Sequence, residues 1–182
     1  LKIKETQTEV RMGRREEREQ AFNIVFSSLF QPEEPLEDIV KAETEAEAYV
    51  PSDYSRRLIK LISENLEEID RIIEKRTVRW KKERLSKVAL SVLRISLCEI
   101  LYFDEIPVSV SVNEAVELAK KYSIPEDAAF VNGLLGSYIR EREGQNAETE
   151  AKETEEQSVK EEIEALAAES EAEKQAEMEV TS

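Results

Sequence analysis

The chain has no histidine and only one cysteine, Cys98. Without an imidazole it cannot form a Ser-His-Asp triad, use a histidine base or build the usual imidazole-containing zinc sites. A lone cysteine has no partner for a disulfide within the chain. Cys98 sits in a largely apolar helical pattern running from Ser91 to Tyr102, where a buried, inert thiol is expected. No uncharged apolar stretch is long enough to span a membrane, and the polar N-terminus lacks the hydrophobic core of a signal peptide, so the expected location is cytoplasmic. No D-x-D, H-E-x-x-H, G-x-G-x-x-G or P-loop pattern is present, and paired glutamates arise by chance in any glutamate-rich helical chain. These absences point away from an enzyme and away from any metal or cofactor.

What is present is charge, unevenly spread. Against 41 acidic residues stand 26 basic ones, a net charge of -15 over 182 residues with a mean hydropathy of -0.53. Beyond Arg142 there are fourteen glutamates, three lysines and no aromatic or proline, a net -11, so residues 1–142 carry only -4. The acidic balance therefore belongs mostly to the tail and does not exclude nucleic-acid binding by the rest. The expected organisation is a flexible segment 1–13, a helical domain 14–142, and an acidic Glu/Ala-rich tail 143–182. Val159, Ile163 and Leu166 are weak anchors in that tail, which reads as disordered or as a solvent-exposed helix. Its charge would let it compete with nucleic acid for a basic surface.

Periodicity predicts an all-α fold of about six helices joined by short connections. Ala21, Phe22, Val25, Phe26 and Leu29 recur at helical spacing after Arg14, and an acidic helix candidate follows over Leu36–Tyr49. Ser52 or Asp53 can cap the next helix, whose apolar face from Tyr54 to Ile73 runs through roughly six turns. Leu85 to Leu101 is apolar around much of its circumference, as in the central member of a bundle. Val108 to Val112 alternates with period two, but a strand there would lack partners, and a turn feeding a helix fits better. Ser111 and Glu114 have the spacing of a capping box that would open this helix. Ser123 with Glu126 has it again, with Asp127 as a competing cap. The last helix carries Phe130, Val131, Leu134, Leu135, Tyr138 and Ile139, and its Gly133 and Gly136 imply close contacts or fraying. The apolar faces can be satisfied within one chain or partly in a homodimer.

Two basic elements stand out. Arg14 and Arg18 lie one helical turn apart with Arg15 beside them, a fan of guanidiniums suited to phosphates and unpaired bases. The alternative is ordinary surface pairing with Glu16, Glu17 and Glu19. The second element, Lys75 to Lys87, has seven basic residues against one acidic and includes Lys75, Arg76, Arg79, Lys81 and Lys82 around Trp80. Part of that charge suits a helix C-terminus, and part reads as an anion-binding surface. Trp80 is either a base-stacking platform or a core anchor.

Several motifs together resemble a known family. They are RRxxRExA from Arg14 with Val25-Phe26, DYxRxL from Asp53, IDxxI from Ile69, Trp80, VLR from Val92, Glu99, Pro107, NEAVELAK from Asn113 to Lys120 and FVNGLL from Phe130. The pattern resembles the NusB family of bacterial transcription antitermination factors over about residues 12–142. The resemblance implies two packed helical subdomains, no catalysis, and binding of the boxA element of nascent RNA together with the ribosomal protein NusE during ribosomal RNA synthesis. It assigns RNA contact to Arg14, Arg15 and Arg18, and contact with a NusE-type partner to Asp127 and Phe130 at the start of the last helix. The same domain occurs fused to RNA cytosine methyltransferases, but the tail has the wrong composition for one, and a free-standing protein is expected. The chain departs from the family pattern at Ala129, where a basic residue is common, and at Glu16 and Glu17 within the arginine tract. The competing reading is a protein-interaction or ribosome-assembly scaffold with little direct RNA recognition.

Overall fold

Helix α1 (Arg14–Ser28) begins where Gly13, in extended conformation, donates its N–H to the Glu16 carboxylate at 2.5 Å. Glu16 and Glu17 in the first turn also suit the positive end of the helix dipole. The computed structural model describes residues 12–77 and 85–145, and all regular structure among them is helical. After α2 (Leu36–Glu45), Glu47 turns the chain with a φ of 56°, and Tyr49 buries its ring while bonding to Ser55 Oγ at 2.7 Å. Ser52 then caps α3 (Asp53–Glu64) by accepting the Ser55 N–H at 3.1 Å.

One long helix was expected from Tyr54 to Ile73, but Asn65 divides it. The Asn65 side chain donates to the Leu61 carbonyl at 2.8 Å, and its φ of -122° leaves the helical region. Asparagine readily offers the backbone such local alternatives to a continuing helix. A separate α4 (Leu66–Arg76) follows, burying Ile69 and Ile73, so the described residues hold seven helices instead of about six.

Helix α5 (Lys87–Tyr102), capped by Ser86 on the Ala89 N–H at 3.0 Å, is the centre of the bundle. It is buried continuously from Ala89 to Ile100 and packs against α1, α3, α4 and α6 (Val108–Tyr122). Arg94 on α5 grips Asp70 on α4 with two hydrogen bonds of 2.9 and 2.8 Å, so the VLR and IDxxI motifs meet as a structural clamp. Cys98 is fully buried, and burial, with the charge of Glu99, pushes its thiol up to about 12.

Helix α6 corrects a second expectation. It starts at Val108, with Val110 and Ser111 donating their N–H groups to the Pro107 carbonyl at 2.8 and 3.2 Å. Ser111 is therefore a buried position inside the first turns and not a cap. Pro107 is the N-cap, with a ψ of 136° outside the helical region, and its carbonyl takes the first helical N–H groups. Residues 125–137 form α7, opened by Pro125.

Contacts divide the chain into the units Leu1–Ser137 and Tyr138–Ser182. In the second, residues 138–145 are helical, and the expected acidic tail otherwise lies outside the described residues. Gly133 shows neither fraying nor close contact: it is helical, and a Cβ built there meets nothing within 4 Å. Gly133→Ala is accordingly expected to stabilise the protein by about 0.4–1 kcal/mol, read as a higher urea midpoint at unchanged slope.

Candidate nucleic-acid interface

The arginine tract lies on the first turns of α1, which packs against α3 and α5. Arg14 points outward, 54% exposed, paired with Glu17 at 3.1 Å and with its guanidinium 4.2 Å from the centre of the Tyr54 ring. Arg15 is 65% exposed and donates from Nε and Nη2 to the two carboxylate oxygens of Glu114 at 3.0 and 2.7 Å. Arg18 differs from both. Its side chain is only 3% exposed, with Nε on Glu99 at 2.9 Å and Nη1 on Glu114 at 3.3 Å.

The expected fan of three guanidiniums is therefore two exposed heads and one buried anchor. The helical spacing of Arg14 and Arg18 holds, but Arg18 lies over the α5 side of the turn, where the fully buried Glu99 draws its charge inward. Tyr54 also donates its hydroxyl to Glu99, and burial, followed by the nearby carboxylate charge, raises the phenol well above its ordinary range. A buried carboxylate without a cation would carry a large desolvation cost, so Glu99 and Arg18 require each other.

Glu114 joins this buried group to the surface. The hydrogen bonds from Arg15 hold its carboxyl below the usual range against partial burial, and the charges of Arg18 and Arg15 add to the effect. The bonds to Glu114 correspondingly raise the Arg15 guanidinium. Further along the same seam, Glu19 accepts from Lys121 Nζ at 2.5 Å and from the Tyr122 hydroxyl. Tyr122 stacks on Phe22 with centroids 4.8 Å apart. The seam between α1 and α6 thus pairs Arg15 of α1 with Glu114 of α6, and Lys121 of α6 with Glu19 of α1.

The basic junction is described only at its start. Lys75 and Arg76 end α4, where cations complement the helix dipole, and Arg76 Nη1 donates to the Ile72 carbonyl at 3.1 Å. Arg79, Lys81, Lys82 and Trp80 lie outside the described residues. Asp127 accepts from Ser86 Oγ at 2.5 Å and from Ser123 Oγ, tying the start of α7 to the cap of α5. The second expected cap is displaced: α7 opens at Pro125, the Asp127 N–H donates to the Ile124 carbonyl at 3.1 Å, and Ser123 bonds to the Asp127 side chain inside that first turn. Phe130 is partly exposed on α7. Helices α6 and α7 enclose an open groove of about 870 Å³, lined by Val112, Val116, Pro125, Ala128, Ala129 and Asn132 among others, with neither Asp127 nor Phe130 in its lining.

Glu99 and Glu114 had no functional assignment from the residue pattern. A signal existed for Glu99, a charge inside an otherwise apolar helix, which demands a cation somewhere in the fold. Among the described residues, no group of three His, Cys, Asp or Glu is placed to hold a metal ion, and no helix is long and apolar enough to cross a membrane. The arrangement offers anion binding by exposed guanidiniums.

Comparison with known proteins agrees with the motifs. The NusB family matches residues 15–140. Transcription antitermination protein NusB of Ruminiclostridium cellulolyticum is 49% identical over 125 residues, 68% of this chain and 86% of that protein. Its counterpart from Clostridium botulinum (strain Loch Maree / Type A3) is 43% identical over 141 residues, 70% of this chain and all of that protein. Among solved structures, NusB of T. maritima superposes with a TM-score of 0.66 at 36% identity, covering 72% of this chain and 93% of that one. A chain from a crystal structure of antitermination factors NusB and NusE in complex with dsRNA gives 0.60 at 27% identity, covering 68% and 93%. The chain belongs to the NusB family of RNA-binding transcription antitermination proteins, which are not enzymes.

Proposed function

We propose that this chain binds boxA-like single-stranded segments of nascent RNA together with the ribosomal protein NusE, acting in the cytoplasm during ribosomal RNA synthesis. The carrying observation is the pair of exposed guanidiniums, Arg14 and Arg15, fixed at the head of α1 by the buried Arg18–Glu99 pair. Arg18 serves there as a positioning residue, and the basic residues Lys75, Arg76, Arg79, Lys81 and Lys82 supply a second phosphate-contacting element. Asp127 and Phe130 on α7 form the partner surface in this reading, supported by the relative whose structure includes NusE and dsRNA. In this reading α2 and α3 pack on α1 as one subdomain and α4 and α6 pack on α5 as the other, with α1 and α3 also packing on α5.

No chemical step is involved. Arginines hold phosphates, exposed bases supply sequence, and the protein partner extends the groove. Arg14→Ala/Arg15→Ala is expected to weaken boxA-like RNA binding about tenfold or more and to lower the salt slope by about 1.4, two phosphate contacts on a single strand. Circular dichroism should show the helices intact. Unchanged RNA affinity would overturn the arginine-centred reading.

A second reading, a partner-binding scaffold with little direct RNA contact, is favoured by the neutral pairing of Arg14 with Glu17 and Arg15 with Glu114. Binding of the ribosomal partner with no added affinity from boxA-like over scrambled RNA would select it.

A further inference from the structure

Arg15 and Glu114 form a pair whose geometry goes beyond simple charge. The carboxylate engages Nε and one Nη2 hydrogen, along one edge of the guanidinium. Of the five N–H donors of an arginine, three remain, on Nη1 and Nη2, pointing away from that edge. Glu114 is itself held from below by Arg18 at 3.3 Å, and Arg18 by the buried Glu99 at 2.9 Å. The side chain of Glu114 is only 13% exposed, so an incoming phosphate meets Arg15 first and the carboxylate behind it. Arg15 and Glu114 cancel in charge, as do Arg18 and Glu99.

We infer that Glu114 is a specificity-determining residue of the RNA site, holding Arg15 in one orientation and cancelling its charge so that only a well-placed RNA group is rewarded. The inference rests on the reading of Arg15 as an RNA contact. A freely swinging arginine on an exposed helix end accepts any phosphate that approaches, which is affinity without discrimination. An arginine clamped along one edge offers only its other edge, in one plane, and gains nothing from net attraction at a distance. Removing Glu114 restores both the motion and the net positive charge. The loss should therefore appear as tighter binding of the wrong RNA. Weaker binding of the right one is not the expected signature.

The test is Glu114→Gln in the full chain, with short boxA-like and scrambled single-stranded RNAs titrated over a range of salt. Scrambled RNA should bind about 2- to 5-fold more tightly, the scale of a partly exposed ion pair, so that the ratio of the two affinities falls. The salt slope for scrambled RNA should steepen by about 0.7, one added phosphate contact. In an Arg15→Ala background the same substitution should leave the ratio unchanged, an outcome that a general structural effect would not produce. Arg18 keeps Glu99 in the Gln variant, and circular dichroism reports whether the helices persist. If that variant unfolds, Arg15→Lys tests the orientation alone: an ammonium cannot take the carboxylate bidentately, so the ratio should fall while the salt slope stays unchanged. An unchanged ratio, or equal weakening of both RNAs, overturns the inference. If Arg15→Ala alone alters neither RNA, the RNA role of Arg15 fails and the inference with it. If Arg15→Ala weakens binding while Glu114→Gln leaves the ratio fixed, only the inference fails.

Discussion

Replacing Arg18 by alanine is expected to cost about 3–5 kcal/mol of folding stability, the penalty for leaving one member of a buried ion pair without its partner. The Glu99 side chain is fully buried and Arg18 is 3% exposed, so water cannot take over when the guanidinium is removed. Tyr54 still donates to Glu99, but one phenol hydrogen bond offsets only part of a buried charge. Glu99→Ala should cost a similar amount by stranding the cation, moderated by the bond from Arg18 to Glu114. A loss of this size is a large share of the roughly 5–15 kcal/mol of a typical domain, so urea unfolding of the full chain should show it plainly. The double variant Arg18→Met/Glu99→Leu separates the cost of stranding from the worth of the pair. It should recover most of the loss, because a hydrophobic replacement of the whole pair is often neutral. A loss below about 1 kcal/mol for Arg18→Ala would mean the side chain is solvated, as surface pairs are, and would return Arg18 to the exposed arginine set.

The legibility of this site in the sequence depended on range. Helix existence came from local periodicity: Ala21, Phe22 and Val25 mark the inner face of α1, and the near-continuous apolar run in α5 announced the central helix. The division at Asn65 was missed because apolar spacing on its two sides stays in phase, so the face of α3 and α4 looks unbroken. The S-x-x-E spacing of Ser111 and Glu114 is the same whether it opens a helix or lies within one. Pro107, four residues earlier, was the better start signal. Arg18 could not be read as buried, because its partner is 81 residues away and no local pattern reports a pair of that separation. The same holds for Arg15 and Glu114, 99 residues apart. Motif resemblance singled out the head of α1; only the fold distinguishes the exposed arginines from the anchoring one.

Leu97→Ala is expected to destabilise the protein by about 2–5 kcal/mol, with the upper part of that range favoured by the position of α5. Leu97 has no exposed surface, and α1, α3, α4 and α6 all pack around its helix, so packed helices resist collapse into the vacated volume. The same helix carries Glu99, which holds Arg18 of α1, and Arg94, which holds Asp70 of α4. A cavity between these two ties should weaken the bundle as a whole, giving one cooperative transition at lower urea with little change in slope. By contrast Val116→Ala, on the wall of the α6–α7 groove, removes a side chain already in contact with solvent and should cost less than about 1 kcal/mol. RNA affinity per folded molecule should be unchanged in Leu97→Ala, because Arg14 and Arg15 keep their surroundings as long as α1 is docked. A loss below about 1 kcal/mol, or a transition split into two, would place the packing centre elsewhere than α5 and show that the two ties respond independently.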